Sequence, residues 1–203
     1  MLTQYPARVE WGGVNVALDW LDNCPSLTRI AFCSDSNRNF LPIDTRPSGI
    51  RIHALPSLVQ CHFNVPDNVQ TALLLDGLQL PSLKFFGLAR VTFSQGVDNL
   101  DYSGLVRFMQ CSRPALTVLI LVVQGMTTAE LHNCLRCVPS LVALRVHIQH
   151  VSEDSIGPFL APSPTHSKSV LCPNLKFYGY LAMMMRCVKL WRIWMLTAVG
   201  LRS

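Results

Sequence analysis

Charge is scarce in this chain: only 14% of its 203 residues are Asp, Glu, Lys or Arg, while 50% are hydrophobic. A disordered polymer combines few apolar groups with high charge, so that class is excluded, and the apolar content is ample for the core of one domain. Clustered basic charge is missing as well. The net charge of +5 arises because Arg186, Lys189, Arg192 and Arg202 fall in the last 23 residues, which hold no acid; the other 180 residues carry 13 basic and 12 acidic side chains. A near-neutral body has no Lys and Arg footprint for phosphate, and no nucleic-acid partner is expected.

Long apolar runs are also lacking. The longest in the body, Val118 to Val123, is six residues, far below the roughly 20 that span a bilayer, and reads as a buried strand. Residues 181–201 are rich in Met, Leu, Trp and Ile, but Arg186, Lys189 and Arg192 sit at their centre, each costing about 2.5 to 3.5 kcal/mol on insertion. A membrane span is disfavoured; the expectation is a terminal helix over the end of the core, with a basic surface helix bearing Trp191 and Trp194 as the alternative. Residues 1–13 hold no continuous apolar stretch of the kind a secretory signal needs, and no Asn-x-Ser/Thr sequon occurs. The eight cysteines, about 4% of the chain, are too sparse for a disulfide scaffold. Cys61 stands where Ile or Leu would serve, and Cys24 and Cys172 each precede a proline. Reduced core thiols in an intracellular protein, cytoplasmic or nuclear, are expected.

What the chain does have is a repeat. The pattern Pro-x-Leu-x-x-apolar-x-apolar occurs six times: Pro25 to Phe32, Pro56 to Phe63, Pro81 to Leu88, Pro114 to Leu121, Pro139 to Val146 and Pro173 to Tyr180. Its leucines, 27, 58, 83, 116, 141 and 175, are separated by 31, 25, 33, 25 and 34 residues, alternately long and short. Proline fixes its own φ and pushes the preceding residue towards an extended conformation, ending any helix before it. The last two apolar positions, two apart, share one face of a strand. No such strand buries its apolar face alone; stacked in parallel, six make one core.

Parallel strands need crossovers, and the intervals contain helical patterns. Thr127-Thr128-Ala129-Glu130 is a capping box, followed by Leu131, Leu135 and Val138 on one face. Ser103 is positioned to cap a helix through Cys111, and Ser152 to start a short one containing Pro158. Val14, Leu18 and Leu21 share a helical face, and Asp67 can begin a helix closed by Asp76-Gly77. Residues 34–49 and 161–169 read as loops.

These alternating Pro-Ser-Leu strands and short capped helices resemble the leucine-rich-repeat region of fungal F-box proteins, most clearly from Tyr102 to Tyr180. There Gly104-Leu105-Val106-Arg107-Phe108 leads to Pro114-Ala115-Leu116, Thr127 to Leu131 leads to Pro139-Ser140-Leu141, and Ser152-Glu153-Asp154 leads to Cys172-Pro173-Asn174-Leu175. The resemblance implies an α/β leucine-rich-repeat-like solenoid arc: about six short parallel strands with short helices on the convex side, spanning residues 1–180, with 181–203 a separate helix or tail. It further implies a substrate receptor of a cullin-based ubiquitin ligase, in which an F-box docks an adaptor and the repeats bind the target. The F-box opening, Leu-Pro-x-Glu before a helix, has one near match, Leu41-Pro42-Ile43-Asp44. This runs into Thr45-Arg46-Pro47-Ser48-Gly49, which no helix interior accommodates. The expectation is therefore the repeat region without its docking motif: a protein target as partner, and a ligase adaptor only through an F-box outside this chain.

Catalytic motifs are missing: no Gly-x-Ser-x-Gly, no phosphate-binding glycine loop, no Gly-x-Gly-x-x-Gly. Cys134-Leu135-Arg136-Cys137 beside His132 lacks the second ligand pair of a structural zinc site and reads better as helical core. His147 and His150 read as surface histidines, and the pairs Asp35/Asp44 and Asp98/Asp101 as loop carboxylates. No enzyme activity, metal or cofactor is expected. The remaining functional candidate is the strand face turned away from the core: Arg29 and Ala31, Gln60 and His62, Phe85 and Gly87, Val118 and Ile120, Ala143 and Arg145, Phe177 and Gly179. Apolar in its middle, with Arg near both ends and no acid, it suits a protein partner anchored on Phe85, Val118 and Ile120, unless neighbouring loops or the tail cover it.

Overall fold

The computed structural model describes residues 7–10, 14–33, 52–64, 68–89, 102–123, 125–148 and 171–180. The six motif strands are β2 (Arg29–Cys33), β4 (Gln60–Asn64), β6 (Phe85–Ala89), β7 (Val118–Val123), β8 (Ala143–Ile148) and β9 (Phe177–Tyr180). With β1 (Ala7–Glu10) they form one parallel sheet in the order β1-β2-β4-β6-β7-β8-β9. The fold is α/β, as expected, but among the described residues the sheet has seven strands where the motif count predicts six. β1 carries no Pro-x-Leu signature; among the described strands it pairs only with β2 and takes its register from that neighbour.

Register follows the motif. Ile30, Cys61, Phe86, Leu119, Leu144 and Tyr178 lie opposite one another, and so do Phe32, Phe63, Leu88, Leu121, Val146 and Tyr180. Entry to the strands is equally regular. The N–H groups of Leu27, Leu58, Leu83, Leu141 and Leu175 donate to the carbonyls of Cys24, Leu55, Leu80, Val138 and Cys172 at 3.1–3.3 Å. Each closes a four-residue turn with proline second, the position that its fixed φ favours. A single carbonyl of each strand then accepts from the next: Thr28 O from Val59 and Gln60, Val59 O from Lys84 and Phe85, Lys84 O from Thr117 and Val118, Thr117 O from Val142 and Ala143, and Val142 O from Lys176. The six motif leucines thus occupy equivalent places along the sheet. The middle four are buried; Leu27 and Leu175, at the ends of the series, are half-buried.

The fourth entry differs. Arg113 adopts a left-handed conformation (φ 42°, ψ 50°) and donates its N–H to Met109 O at 3.0 Å, closing the preceding helix before the buried Pro114. Glycine is the usual residue in that role because it has no Cβ to strain.

The helices are α1 (Val14–Asp22), α2 (Asn68–Asp76), α3 (Ser103–Ser112) and α4 (Thr128–Arg136). The capping box predicted for α4 is present: Glu130 N donates to Thr127 Oγ1 at 3.2 Å and Thr127 N to Glu130 Oε2 at 2.7 Å. For α3 the expectation fails in detail. Ser103 is the first helical residue, Tyr102 is the N-cap without a side-chain bond, and Ser103 Oγ instead accepts from Arg107 at 2.7 Å. The expected helix after Ser152 and both expected loops lie outside the described residues.

Helix residues such as Leu21, Leu74, Leu105, Phe108, Leu131 and Leu135 share one buried cluster with the inward strand rows. Along it Phe32 stacks on Phe63 at 5.2 Å, Phe63 meets Phe86 edge-on at 5.8 Å, and Phe86 meets Phe108 of α3 at 5.4 Å. All four described helices therefore back one face of the sheet, and neighbours are tied together. Asp76 of α2 accepts two bonds from Arg107 of α3, at 3.0 and 2.8 Å, and the capping carboxylate of Glu130 also accepts Tyr102 N at 3.4 Å.

A second, two-stranded parallel sheet lies on the helix side: β3 (His53–Ala54) with β5 (Leu78–Gln79). The buried Ser112 at the end of α3 extends it, accepting Leu80 N on Oγ at 3.1 Å. His53 Nδ1 meets Asp22 Oδ1 at 2.5 Å, fastening α1 to β3.

Candidate functional site

Because the motif's inward residues face the helices, the alternate residues form the opposite face. Register arranges them in three rows. Arg29, Gln60, Phe85, Val118, Ala143 and Phe177 make the first; Ala31, His62, Gly87, Ile120, Arg145 and Gly179 the second. The third row, Glu10, Cys33, Asn64, Ala89, Val122 and His147, is absent from the sequence expectation. The same alternation, carried one residue past the motif, would have found it.

Down the strands these rows become columns of different character. β4 presents Gln60, His62 and Asn64, all polar, whereas β6 presents Phe85, Gly87 and Ala89, and β7 Val118, Ile120 and Val122, all apolar. β8 presents Ala143, Arg145 and His147. An apolar strip two strands wide therefore lies between polar columns, with the exposed Arg29 on β2 and the half-buried Arg145 on β8 to either side. Among the described outward positions the one acid is Glu10, on the edge strand β1 opposite Cys33. Val118 to Val123 reads from sequence as a buried strand with Val118 and Ile120 turned outward. Only Leu119, Leu121 and Val123 are buried; Val118, Ile120 and Val122 are half-buried, so a polar-looking alternation in burial is made entirely from apolar residues.

Of the candidate residues, Phe85, Val118 and Ile120 come together on adjacent strands, each half-buried, with Gln60 two strands from Val118. Phe177 lies opposite Ala143 on β9, and its side chain lies outside the described residues. Ala31 on β2 is buried, and so is its neighbour His62, only 4% exposed, against Gly87. Burial lowers its pKa to about 4, since the charged imidazolium loses its hydration there. It stands at the strip's edge as a neutral ring at ordinary pH.

Among the described residues no group of three or more His, Cys, Asp or Glu side chains converges as a metal site. Cys134 is buried in the α4 core, where desolvation pushes its thiol far up; Cys137 is the C-cap, its Sγ donating to Asn133 O at 3.2 Å. His147 sits in the third outward row; His150 and the aspartates 35, 44, 98 and 101 lie outside the described residues. No helix among the described residues is long and apolar enough to cross a membrane. Comparison with protein-family models, with curated proteins and with solved structures finds no match to this chain.

Proposed function

We propose that the chain is a non-catalytic protein-binding module, a leucine-rich-repeat-like arc that recognises a protein target on the sheet face opposite its helices. One observation carries this reading: the adjacent apolar columns of β6 and β7, bounded by polar columns on β4 and β8, on a face where the described helices do not pack. All-parallel sheets are ordinarily covered on both faces, and an apolar strip rimmed by polar groups is a usual mark of an interface. The resemblance to F-box receptors makes the target a ubiquitin-ligase substrate, with any adaptor reached through an F-box outside this sequence.

Co-purification from cells is the test. Recovery of a cullin-ligase adaptor together with a target supports the receptor reading. A target without any adaptor favours the second reading, a structural or regulatory repeat protein with no ligase link. That reading is favoured by the Pro47-Ser48-Gly49 sequence, which departs from an F-box helix just after Leu41-Pro42.

A further inference from the structure

We infer that the rim of the sheet where β6, β7, β8 and β9 begin is a second interaction surface, which takes an extended run of Asp and Glu residues from another protein. It is distinct from the outward face, and binding here does not depend on that face being occupied.

The near-neutral body separates its charge. Residues 1–76 hold five basic and seven acidic side chains, a net of −2, and residues 77–180 hold eight and five, a net of +3. The strands of the large sheet lie in chain order, so this bias along the sequence becomes a gradient across the sheet. Glu10, Asp19, Asp22 and Asp76 belong to β1, α1 and α2, and the last two already engage His53 and Arg107. Among the described residues from Gly77 onward the one carboxylate is Glu130, which completes its cap at the end of α4 remote from Arg136.

The repeat places the cations of this half. α3 and α4 end where the turns into β7 and β8 begin, so helix C-termini and strand entries share one rim. Each of the last four repeats sets one exposed cation there: Lys84 ahead of β6, Arg113 closing α3, Arg136 ending α4 and Lys176 ahead of β9. Lys84 O accepts from Thr117 N, Thr117 O from Val142 N and Val142 O from Lys176 N. The two lysines therefore lie three strand spacings apart, about 14 Å. Successive repeats are about 4.8 Å apart, inside the roughly 10 Å Debye length at 0.1 M salt, so the four charges add to one field. The negative ends of α3 and α4 offset about half a charge each and leave the rim positive.

The surroundings select the class of anion. The exposed residues of the entry turns beside these cations are Pro81, Ser82, Ala115, Pro139, Pro173 and Asn174. They include no aromatic ring on which a base could stack and no large apolar side chain to enter a bilayer. An extended peptide advances about 3.3 Å per residue, so about five residues reach from Lys84 to Lys176 across the strand entries. Its carboxylates form charge-assisted bonds with Lys and Arg and bring no base or acyl chain to accommodate.

The test is fluorescence anisotropy at low salt with the full chain and a labelled peptide of eight Glu residues, an eight-residue Gln peptide serving as blank. Two quadruple variants remove four charges each. K84Q/R113G/R136Q/K176Q clears the rim, with glycine at 113 because it accepts the left-handed backbone there, and R186Q/K189Q/R192Q/R202Q clears the C-terminal residues. The two share one net charge and differ only in where it was lost. The rim variant is expected to keep its thermal midpoint and lose at least about tenfold in affinity, the other variant less than about threefold, and the unmodified chain to bind more weakly as salt rises. Should the rim variant melt early, K84Q/K176Q against R186Q/K189Q makes the same comparison, with a loss of at least about threefold expected only in the first. Equal losses, a larger loss from the C-terminal variant, or no binding of the Glu peptide overturns the inference. So does tighter, rim-dependent binding of a single-stranded oligonucleotide with eight phosphates, or of phosphatidylserine vesicles, than of the Glu peptide.

Discussion

The imidazole of His62 occupies the space that a side chain on Gly87 would need. The two residues face each other across β4 and β6, and a Cβ at position 87 would fall 3.3 Å from His62 Cγ, 3.0 Å from Cε1 and closer still to Nδ1. Glycine is required here by a neighbour's ring, since the close approach comes from the adjacent strand.

Gly87→Ala is therefore expected to destabilise the fold by about 1 to 3 kcal/mol, the usual cost of forcing an extra methyl into a packed site. Adding His62→Ala removes the obstacle, so the double variant should be more stable than the sum of the single effects predicts. Urea unfolding of the four proteins measures this. Strictly additive losses would mean that the ring and residue 87 do not touch.

The same histidine sets a pH dependence. Its pKa falls from 6.5 to about 4 on folding because burial penalises the imidazolium. The unfolded chain takes up a proton as pH drops through 6.5, whereas the folded chain does not until about 4, so His62 lowers stability progressively across that window and not further below it. The full effect is about 3 kcal/mol. His62→Gln should flatten that part of the stability-against-pH curve from urea titrations. An unchanged acid limb would show that His62 titrates normally in the fold.

Thiol reactivity should follow burial. Cys111 is exposed, Cys61 and Cys134 are buried with their thiols pushed well above the ordinary range by desolvation, and Cys172 is pushed up to about 11. Iodoacetamide at mildly alkaline pH should modify Cys111 ahead of Cys61, Cys134 and Cys172, and reach Cys61 and Cys134 only after unfolding, as read by peptide mass spectrometry. Early modification of Cys61 would contradict the core packing of β4.

The repeat was legible because its grammar is local. Pro fixes a turn, Leu follows it inward, and two apolar residues of one parity make a strand; the capping box of α4 is similarly written within four residues. What escaped depends on partners distant in sequence. β1 has no motif and exists through pairing with β2, the two-residue strands β3 and β5 are too short to show any period, and Ser112 finds Leu80 N across 32 residues. Arg113 reads as an ordinary basic residue, yet it is the left-handed cap that Pro114 follows. On the outward face, parity located Phe85, Val118 and Ile120 correctly beside one another. It did not reveal that His62 is buried, with its ring in the space that a side chain at Gly87, one strand away, would take.

The central claim is that the outward columns of β6 and β7 serve binding and not folding. The most direct measurement sets the fold and the partners of the double variant Phe85→Asp, Ile120→Asp side by side, using circular dichroism with a thermal melt for the first and quantitative co-purification for the second. Half-buried, outward positions should tolerate both carboxylates, so the account predicts a retained cooperative melt with the partner lost. A protein that melts normally and still keeps every partner would contradict it.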